Sequence, residues 1–229
     1  MGLPGHGFLA IWNDVVASDE AEWLRWHTRE HMPERVSVPG FLGGRRYIDP
    51  SSAFHRYFTL YLGEALTTFN SPPYLERLNN PTPWTQKTGP YFRNFVRGAC
   101  RAVATSGAGV GGAIATLRLL PEADGKAVSE AVAKALVEKL ASLDGMIGAH
   151  VGLADAAVTS VPTRERAARG ATVEPVFHGV VMVEGVSRAD LSQAMPTLAD
   201  AIRSSGMGLL PAETGIYDLS LSLVKADLA

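Results

Sequence analysis

Trp23-Leu24-Arg25-Trp26-His27-Thr28-Arg29-Glu30-His31-Met32-Pro33-Glu34-Arg35 is the segment from which the rest of the chain is read. Wound as a helix of about 3.6 residues per turn, it gathers Trp23, Leu24, Trp26, His27, Glu30, His31 and Glu34 on one broad face. Glu22, Arg25, Thr28 and Arg29 take the other, an ordinary solvated face. A helix that only filled a core would carry Leu, Val or Ala where this one carries imidazoles and carboxylates. Burying such groups without partners costs about 1–3 kcal/mol each. The mixed face is therefore read as the wall of a polar-lined pocket.

The elements around this helix set the fold class. Gly7 to Trp12 is a short apolar run that reads as a strand, and Ser18 and Asp19 offer an N-cap for a helix reaching about Arg35. After the break at Pro39-Gly40, Phe41 to Ile48 and His55 to Leu62 read as strands joined by Asp49-Pro50-Ser51-Ser52. Irregular and helical sequence broken by Pro72-Pro73, Pro81 and Pro83 leads to a helix over Trp84 to Phe95, then a strand from Gly98 to Ala104.

The second half repeats the order. Ala113 to Leu120 is a strand, and Lys126 to Leu143 is a helix with Val128, Val132, Leu136, Leu140 and Leu143 on one stripe. Strand Gly145 to Leu153, loop Ala154 to Glu174 and strand Val176 to Glu184 follow. Ser187 caps a helix to about Ser205, and Ile216 to Val224 closes as a strand that sets Tyr217, Leu219, Leu221 and Leu223 against Asp218, Ser220 and Ser222. Each half is a β-α-β-β-α-β unit. The expected division is a first repeat over residues 1–106 holding the active half, a Gly-rich joint at 107–112, and a second repeat over 113–229. The joint is not a phosphate loop, because no helix follows its glycines. Each unit leaves one sheet face bare, so the two sheets are expected to pack face to face. A pocket between helices and sheet is then available in each half.

Bulk properties narrow the function classes. The chain has 229 residues, 46% of them hydrophobic and 19% charged, with a net charge of −2 and a pI near 6.3. That balance does not favour nucleic acid. A lone cysteine, Cys100, excludes a disulfide framework and thiolate-rich metal sites. No apolar run has the length of a membrane span, and the N-terminus does not read as a signal peptide, so a cytoplasmic location is expected.

The first half carries a further signature: Ile11-Trp12-Asn13-Asp14 at a strand end, Glu30-His31-x-Pro33-Glu34-Arg35 at a helix end, and Pro39-Gly40-Phe41 leading into Arg45-Arg46-Tyr47. In these features residues 7–105 resemble the EthD-like branch of the dimeric α+β barrel superfamily; the second half matches only in element order. The resemblance implies an α+β fold of two tandem ferredoxin-like repeats closing an intramolecular dimeric α+β barrel. It also implies a small-molecule pocket. Members and relatives include isomerases, lyases, cyclases, cofactor-independent monooxygenases and heme enzymes.

Residue chemistry selects among these. His31, in a helix-end turn, is the candidate acid/base, with Glu30 as the catalytic partner that orients it, and its pKa is expected near neutrality because a helix C-terminus favours imidazolium. The opposing reading is a histidine that caps carbonyls. Asn13 and Arg46 are candidates to steady an enolate-like oxygen, although Asn13 is equally a turn residue. Arg45 and Tyr47 share a strand face opposite Arg46. Trp12, Trp26, His27, Tyr47, His55 and Trp84 are candidate substrate-binding residues. Trp84 is placed as a lid or as the anchor of its loop. His27-Thr28-Arg29-Glu30-His31 spells a His-x-x-Glu-His zinc motif, but at a helix end without a third ligand, so no metal is expected. His150 and His178 are expected to be structural. The loop cluster Arg164, Glu165, Arg166 and Arg169 is either an anion grip or a solvated face. The expected function is proton transfer on an aromatic or carboxylated metabolite by an isomerase, lyase or cyclase that needs no cofactor. A heme enzyme and a non-catalytic binder are the alternatives. The expected partner is a small molecule, with no nucleic acid or membrane, in a chain compatible with homodimerisation.

Overall fold

The computed structural model describes residues 2–123, 127–170 and 177–228. Lys126, Glu174 and Val176, which the sequence reading used as element ends, lie outside them. The first repeat comprises β1 (Gly7–Val15), α1 (Glu20–Trp26), α2 (Met32–Ser37), β2 (Phe41–Ile48), β3 (Tyr57–Gly63), α3 (Pro72–Asn79), α4 (Pro83–Thr88) and β4 (Phe92–Gly107). The second comprises β5 (Ala113–Pro121), α5 (Glu130–Ala141), β6 (Met146–Ala154), α6 (Ala156–Thr159), α7 (Arg164–Ala168), β7 (Gly179–Gly185), α8 (Arg188–Arg203) and β8 (Leu209–Val224).

The strands form one closed antiparallel barrel in the order β1-β3-β2-β8-β5-β7-β6-β4. Each repeat supplies a ferredoxin-like sheet, β4-β1-β3-β2 and β8-β5-β7-β6. The two sheets do not stack as separate layers; they join at both edges. The cause is strand length. β4 and β8 each run 16 residues, twice what one partner strand can pair. β4 pairs β1 through Phe92–Arg101 and then β6 through Cys100–Gly107. β8 pairs β5 through Leu209–Asp218 and then β2 through Asp218–Val224. The helix expected over Trp84 to Phe95 accordingly ends at Thr88, and Phe92 already belongs to β4.

The barrel interior is packed. Phe8, Ala10, Trp12, Tyr47, Phe58, Leu60, Val96, Ile114, Phe177, Met182 and Tyr217 form its buried core. Gly98 and Gly152 seat two of these rings: a Cβ on Gly98 would stand 2.3 Å from Phe177 Cζ, and one on Gly152 would stand 2.1 Å from Phe8 Cζ. Outside the barrel, α5 and α8 cover the second sheet with Leu136, Val137, Leu140, Leu191, Leu198 and Ile202 in an aliphatic cluster. The stripe read on α5 is thus real, with Leu136 and Leu140 buried and Val132 and Leu143 at its margin.

One alternation did not survive. Tyr217 and Leu219 face the barrel core, whereas Leu221 and Leu223 pack on the outer, helix-covered side. A bulge between Arg46 and Tyr47 skips Ser220 and flips the strand's faces, and the displaced Ser220 Oγ accepts from Arg46 Nε at 3.0 Å.

All four tryptophans, Trp12, Trp23, Trp26 and Trp84, lie in the first repeat. Because both repeats share the two barrel seams, urea unfolding followed by tryptophan fluorescence and by far-ultraviolet circular dichroism should give coincident midpoints. Separate transitions would show that the repeats are independent.

Candidate functional site

The helical segment of the first repeat does not stop at Pro33. It continues to Ser37, with a π turn over His27–His31 between α1 and α2. Pro33 explains the turn. It has no N–H for the Arg29 carbonyl, and its ring would press on that carbonyl in a regular helix. Widening relieves both, and Met32 N–H bonds to the His27 carbonyl instead. Two imidazoles are thereby carried on a non-standard turn. His27 stacks on Trp23 with centroids 4.7 Å apart, and on His31 at 5.4 Å, while His31 lies 4.3 Å from Trp26.

Between this turn and the outer face of β1 and β3 lies a cavity of about 40 Å³. Strand alternation selects its inner wall: Ile11 and Asn13 from β1, Thr59 and Tyr61 from β3. His27, His31 and Arg35 close it from the helical side, and Phe69, Tyr74, Phe92 and Phe95 supply rings. The far side comes from the second repeat, with Val158 and Val161, then Glu165, Arg166 and Arg169 on and after α7. Helix α7 docks on the first repeat through the Arg164 N–H, which donates to Asn79 Oδ1 at 3.2 Å. In the second repeat the aliphatic cluster packs between sheet and helices.

Several polar groups in the cavity wall are buried without a hydrogen bond: His31 Nδ1, Thr59 Oγ1 and Tyr61 Oη. Their residues are 8%, 1% and 1% exposed. Natural interiors leave few such groups unsatisfied, and a cluster on one cavity marks a place where a polar guest or ordered water completes the bonding. The histidines are neutral. Burial, then the charges of Arg35 and Arg169 and any proton that His27 takes up, hold His31 well below the ordinary imidazole range. Burial, then Arg46 and Arg35, do the same for His27. The expectation that the helix end would bring His31 near neutrality is overturned, because burial and a nearby guanidinium outweigh a helix terminus that lies further on, at Ser37. Arg46 Nη1 lies 3.3 Å from His27 Nδ1. A guanidinium only donates, so that nitrogen is the acceptor and the proton of neutral His27 sits on Nε2. Burial raises the Tyr61 pKa, leaving its hydroxyl a donor. Burial opposes the charge on Arg35, but Glu165, Tyr74 and Glu34 outweigh that cost and raise its pKa.

Of the residues singled out from sequence, His31, His27 and Asn13 line the cavity. Glu30 stands behind it: its carboxylate accepts from Thr82 Oγ1 at 2.6 Å rather than from His31. Arg46 lies one layer out, holding His27, Thr28 Oγ1 and Ser220. Trp26 backs His31 and donates to Thr85 Oγ1 at 3.2 Å. Trp84 donates to Glu22 Oε1 at 3.1 Å, the anchor reading rather than the lid. Trp12 and Tyr47 point into the barrel, where Trp12 Nε1 donates to Thr116 Oγ1 at 3.1 Å. His55 sits away from the cavity, in a left-handed turn with its N–H on Asp14 Oδ2 and its Nδ1 3.0 Å from Arg118 Nη2. His150 lies in the barrel with Nε2 3.5 Å from Glu184 Oε1. His178 is exposed ahead of β7, not within an apolar strand. His27 and His31 stack instead of converging on one point, and no group of three or more metal-ligating side chains occurs among the described residues.

The face of His55, Tyr57, Thr59 and Tyr61, legible as pocket floor or inter-sheet contact, supplies Thr59 and Tyr61 to the cavity; Arg35 and the reach of the second repeat into the site were not foreseen. Arg35 was quoted only as the end of a motif, yet its side chain is 2% exposed. It donates to Glu34 Oε2 at 3.1 Å and to Glu165 Oε2. An arginine on the turn after two pocket histidines was the available signal. Glu165 was singled out with Arg164, Arg166 and Arg169 as an anion grip or a solvated face, but nothing in the sequence placed that cluster over the first repeat's cavity.

No protein-family model matches the chain, and no curated protein does. Solved structures do. A candidate monooxygenase from Fusobacterium nucleatum aligns with a TM-score of 0.55 and 11% identity, over 96% of this chain and 95% of that one. An anthrone oxidase-like protein gives 0.55 and 10%, over 94% and 91%. A chlorite dismutase variant from Candidatus Nitrospira defluvii, bound to cyanide, gives 0.56 and 9%, over 95% and 92%. At these identities the shared property is the fold: a dimeric α+β barrel in fused two-repeat form.

The buried histidines set a pH dependence. Their folded pKa values lie below the ordinary value of about 6.5, so below that pH the unfolded chain binds protons the folded one excludes. Their contribution to stability is complete above about pH 6.5 and declines as pH falls, by at most about 1.4 kcal/mol per pH unit for each histidine. Urea midpoints taken from pH 7.5 to 5 should drop, and the drop should be shallower in His31→Gln. An equal or steeper drop in that variant would show that His31 is not held neutral.

Proposed function

We infer that the chain is a small-molecule enzyme that moves a proton on an enolisable or phenolic substrate, with neutral His31 as the base. The observation that carries this reading is the unpartnered His31 Nδ1 in an enclosed wall it shares with the unpartnered Tyr61 and Thr59 hydroxyls. A neutral imidazole with a free lone pair accepts a proton at neutral pH without first losing one. As the proton leaves the substrate, charge develops on the adjacent oxygen. The Tyr61 hydroxyl and the Asn13 amide then supply donors, and Arg35 supplies a fixed positive field. Trp26 and His27 hold the His31 ring by stacking, and Arg46 fixes the tautomer of His27. Glu30 and Thr82 brace the turn from behind. Proton transfer is the common step of an isomerase, lyase or cyclase. It is also the step that would make a substrate electron-rich enough for the oxygen chemistry named in two of the fold neighbours.

The heme alternative requires a slot as wide as a porphyrin facing a histidine with a free nitrogen. His31 has the nitrogen, but a void of about 40 Å³ has room for a few waters. A porphyrin does not fit this cavity.

The test is solvent deuterium exchange into a panel of β-keto acids, lactones and phenolics, with oxygen uptake recorded in parallel. Exchange or turnover on at least one class is expected, falling by about 10²–10⁴-fold in His31→Asn while the melting temperature stays close to the parent's. A His31→Asn protein that keeps full rate would remove the histidine from the chemistry. Oxygen uptake tied to exchange would mark the oxidase branch.

A further inference from the structure

Arg35, Arg97, Arg166 and Arg169 line the cavity together with one lining carboxylate among the described residues, Glu165. That carboxylate is buried, 6% exposed, and its Oε2 accepts from Arg35 Nη2 while Oε1 accepts from Arg169 Nη1 at 3.2 Å. Among the described residues, Glu165 is the anion that the second repeat sends into the first repeat's cavity. It sits on the five-residue helix α7, and it occupies the Arg35 fork next to the polar atoms that lack partners. The remaining wall is aromatic, made by Tyr61, Phe69, Tyr74, Phe92 and Phe95. The void of about 40 Å³ is too small for an aromatic guest while Glu165 stays in place.

We propose that the substrate is an aromatic carboxylate whose carboxylate displaces Glu165 from Arg35, so that Glu165 is a built-in competitor and a specificity-determining residue. This rests on the proton-transfer reading of the same cavity and names its substrate class. Guanidinium–carboxylate pairing is directional and charge-assisted, so one carboxylate can take the place of another on Arg35 with little change in geometry. The rings of the wall receive its aromatic part. Displacement swings Glu165 toward solvent and carries α7 with it, which couples opening of the second repeat's arm to the charge of the guest. A neutral analogue has no means of evicting Glu165 and is rejected for that reason, not for its shape.

The experiment is calorimetric titration of benzoate and benzamide into the full-length protein. Glu165→Gln removes the competing charge and keeps the side chain's size. Arg35 keeps its bond to Glu34 Oε2 at 3.1 Å, so its guanidinium is not orphaned. Benzoate should bind Glu165→Gln about tenfold or more tighter than the parent, and benzamide should gain nothing. The double variant Arg35→Gln/Glu165→Gln, which leaves no unpaired charge between the two, should lose benzoate binding. Equal or weaker benzoate affinity in Glu165→Gln, equal gains for benzamide, or undetectable benzoate binding in both parent and Glu165→Gln would overturn the proposal. The titration needs no turnover. Displacement is read as heat of benzoate binding and proton transfer as solvent deuterium exchange, so failure of the one and failure of the other are separately visible.

Discussion

An open β-sheet leaves its edge N–H and C=O groups without partners, and the architecture of this chain follows from how those edges are satisfied. A ferredoxin-like sheet has two edges. Here each repeat ends in a strand long enough to serve its own sheet and then cross to the edge of the other. β4 is spent half on β1 and half on β6, and β8 half on β5 and half on β2. Closure of the ring hides one face of both sheets around a dense aromatic core. It also fixes the outer face of β1 and β3 as a rigid floor. The cavity exists because that floor carries Asn13, Thr59 and Tyr61 where the second sheet carries small and aliphatic residues.

A barrel closed within one chain also fixes how far apart the functional parts can drift. The π turn at His27–His31 is held against the sheet by stacked rings and by Arg46, whose own strand is registered to β8 through the Ser220 bulge. The second repeat therefore reaches the site twice, once by steadying Arg46 from β8 and once by sending α7 over the cavity. Neither route involves a second-repeat histidine. His150 is committed inside the barrel to a buried network in which Arg45 Nη1 donates to Glu184 Oε1 at 2.8 Å and the Gly111 N–H to Oε2 at 2.6 Å.

The fold was legible because its evidence is periodic and repeated. The run Phe41 to Ile48, set off by Pro39-Gly40 and the Asp49-Pro50 turn, matched the observed strand end to end, and the order of elements recurred in both halves. What escaped was anything decided by geometry between repeats. A run such as Phe92 to Phe95, following a proline-broken helix, does not announce that it is the start of a 16-residue strand. A bulge at Ser220 is invisible in a pattern of alternating Leu and Ser. The site was half legible for the same reason. His27, His31 and Asn13 could be found because they are local to one helix and one strand end. Tyr61 shared a face with His55 in the sequence pattern, but the left-handed turn at His55 diverts that histidine to the barrel's end. Trp12 and Tyr47 were read as pocket walls because strand faces can be paired from sequence but not told apart as inside or outside.

Fusion has a consequence for how the two halves can change. In a barrel made of two identical chains, every substitution appears twice, and a residue that improves one pocket is also imposed on the other. Here the copies are independent. One half keeps buried polar groups in the space between sheet and helices, while the other fills the same space with Leu, Val and Ala. The aliphatic half has lent the connection between its third and fourth elements, α6 and α7, to its neighbour. A mutation in that connection can retune the site without touching the scaffold that builds it, so selectivity and stability are carried on separate stretches of one polypeptide.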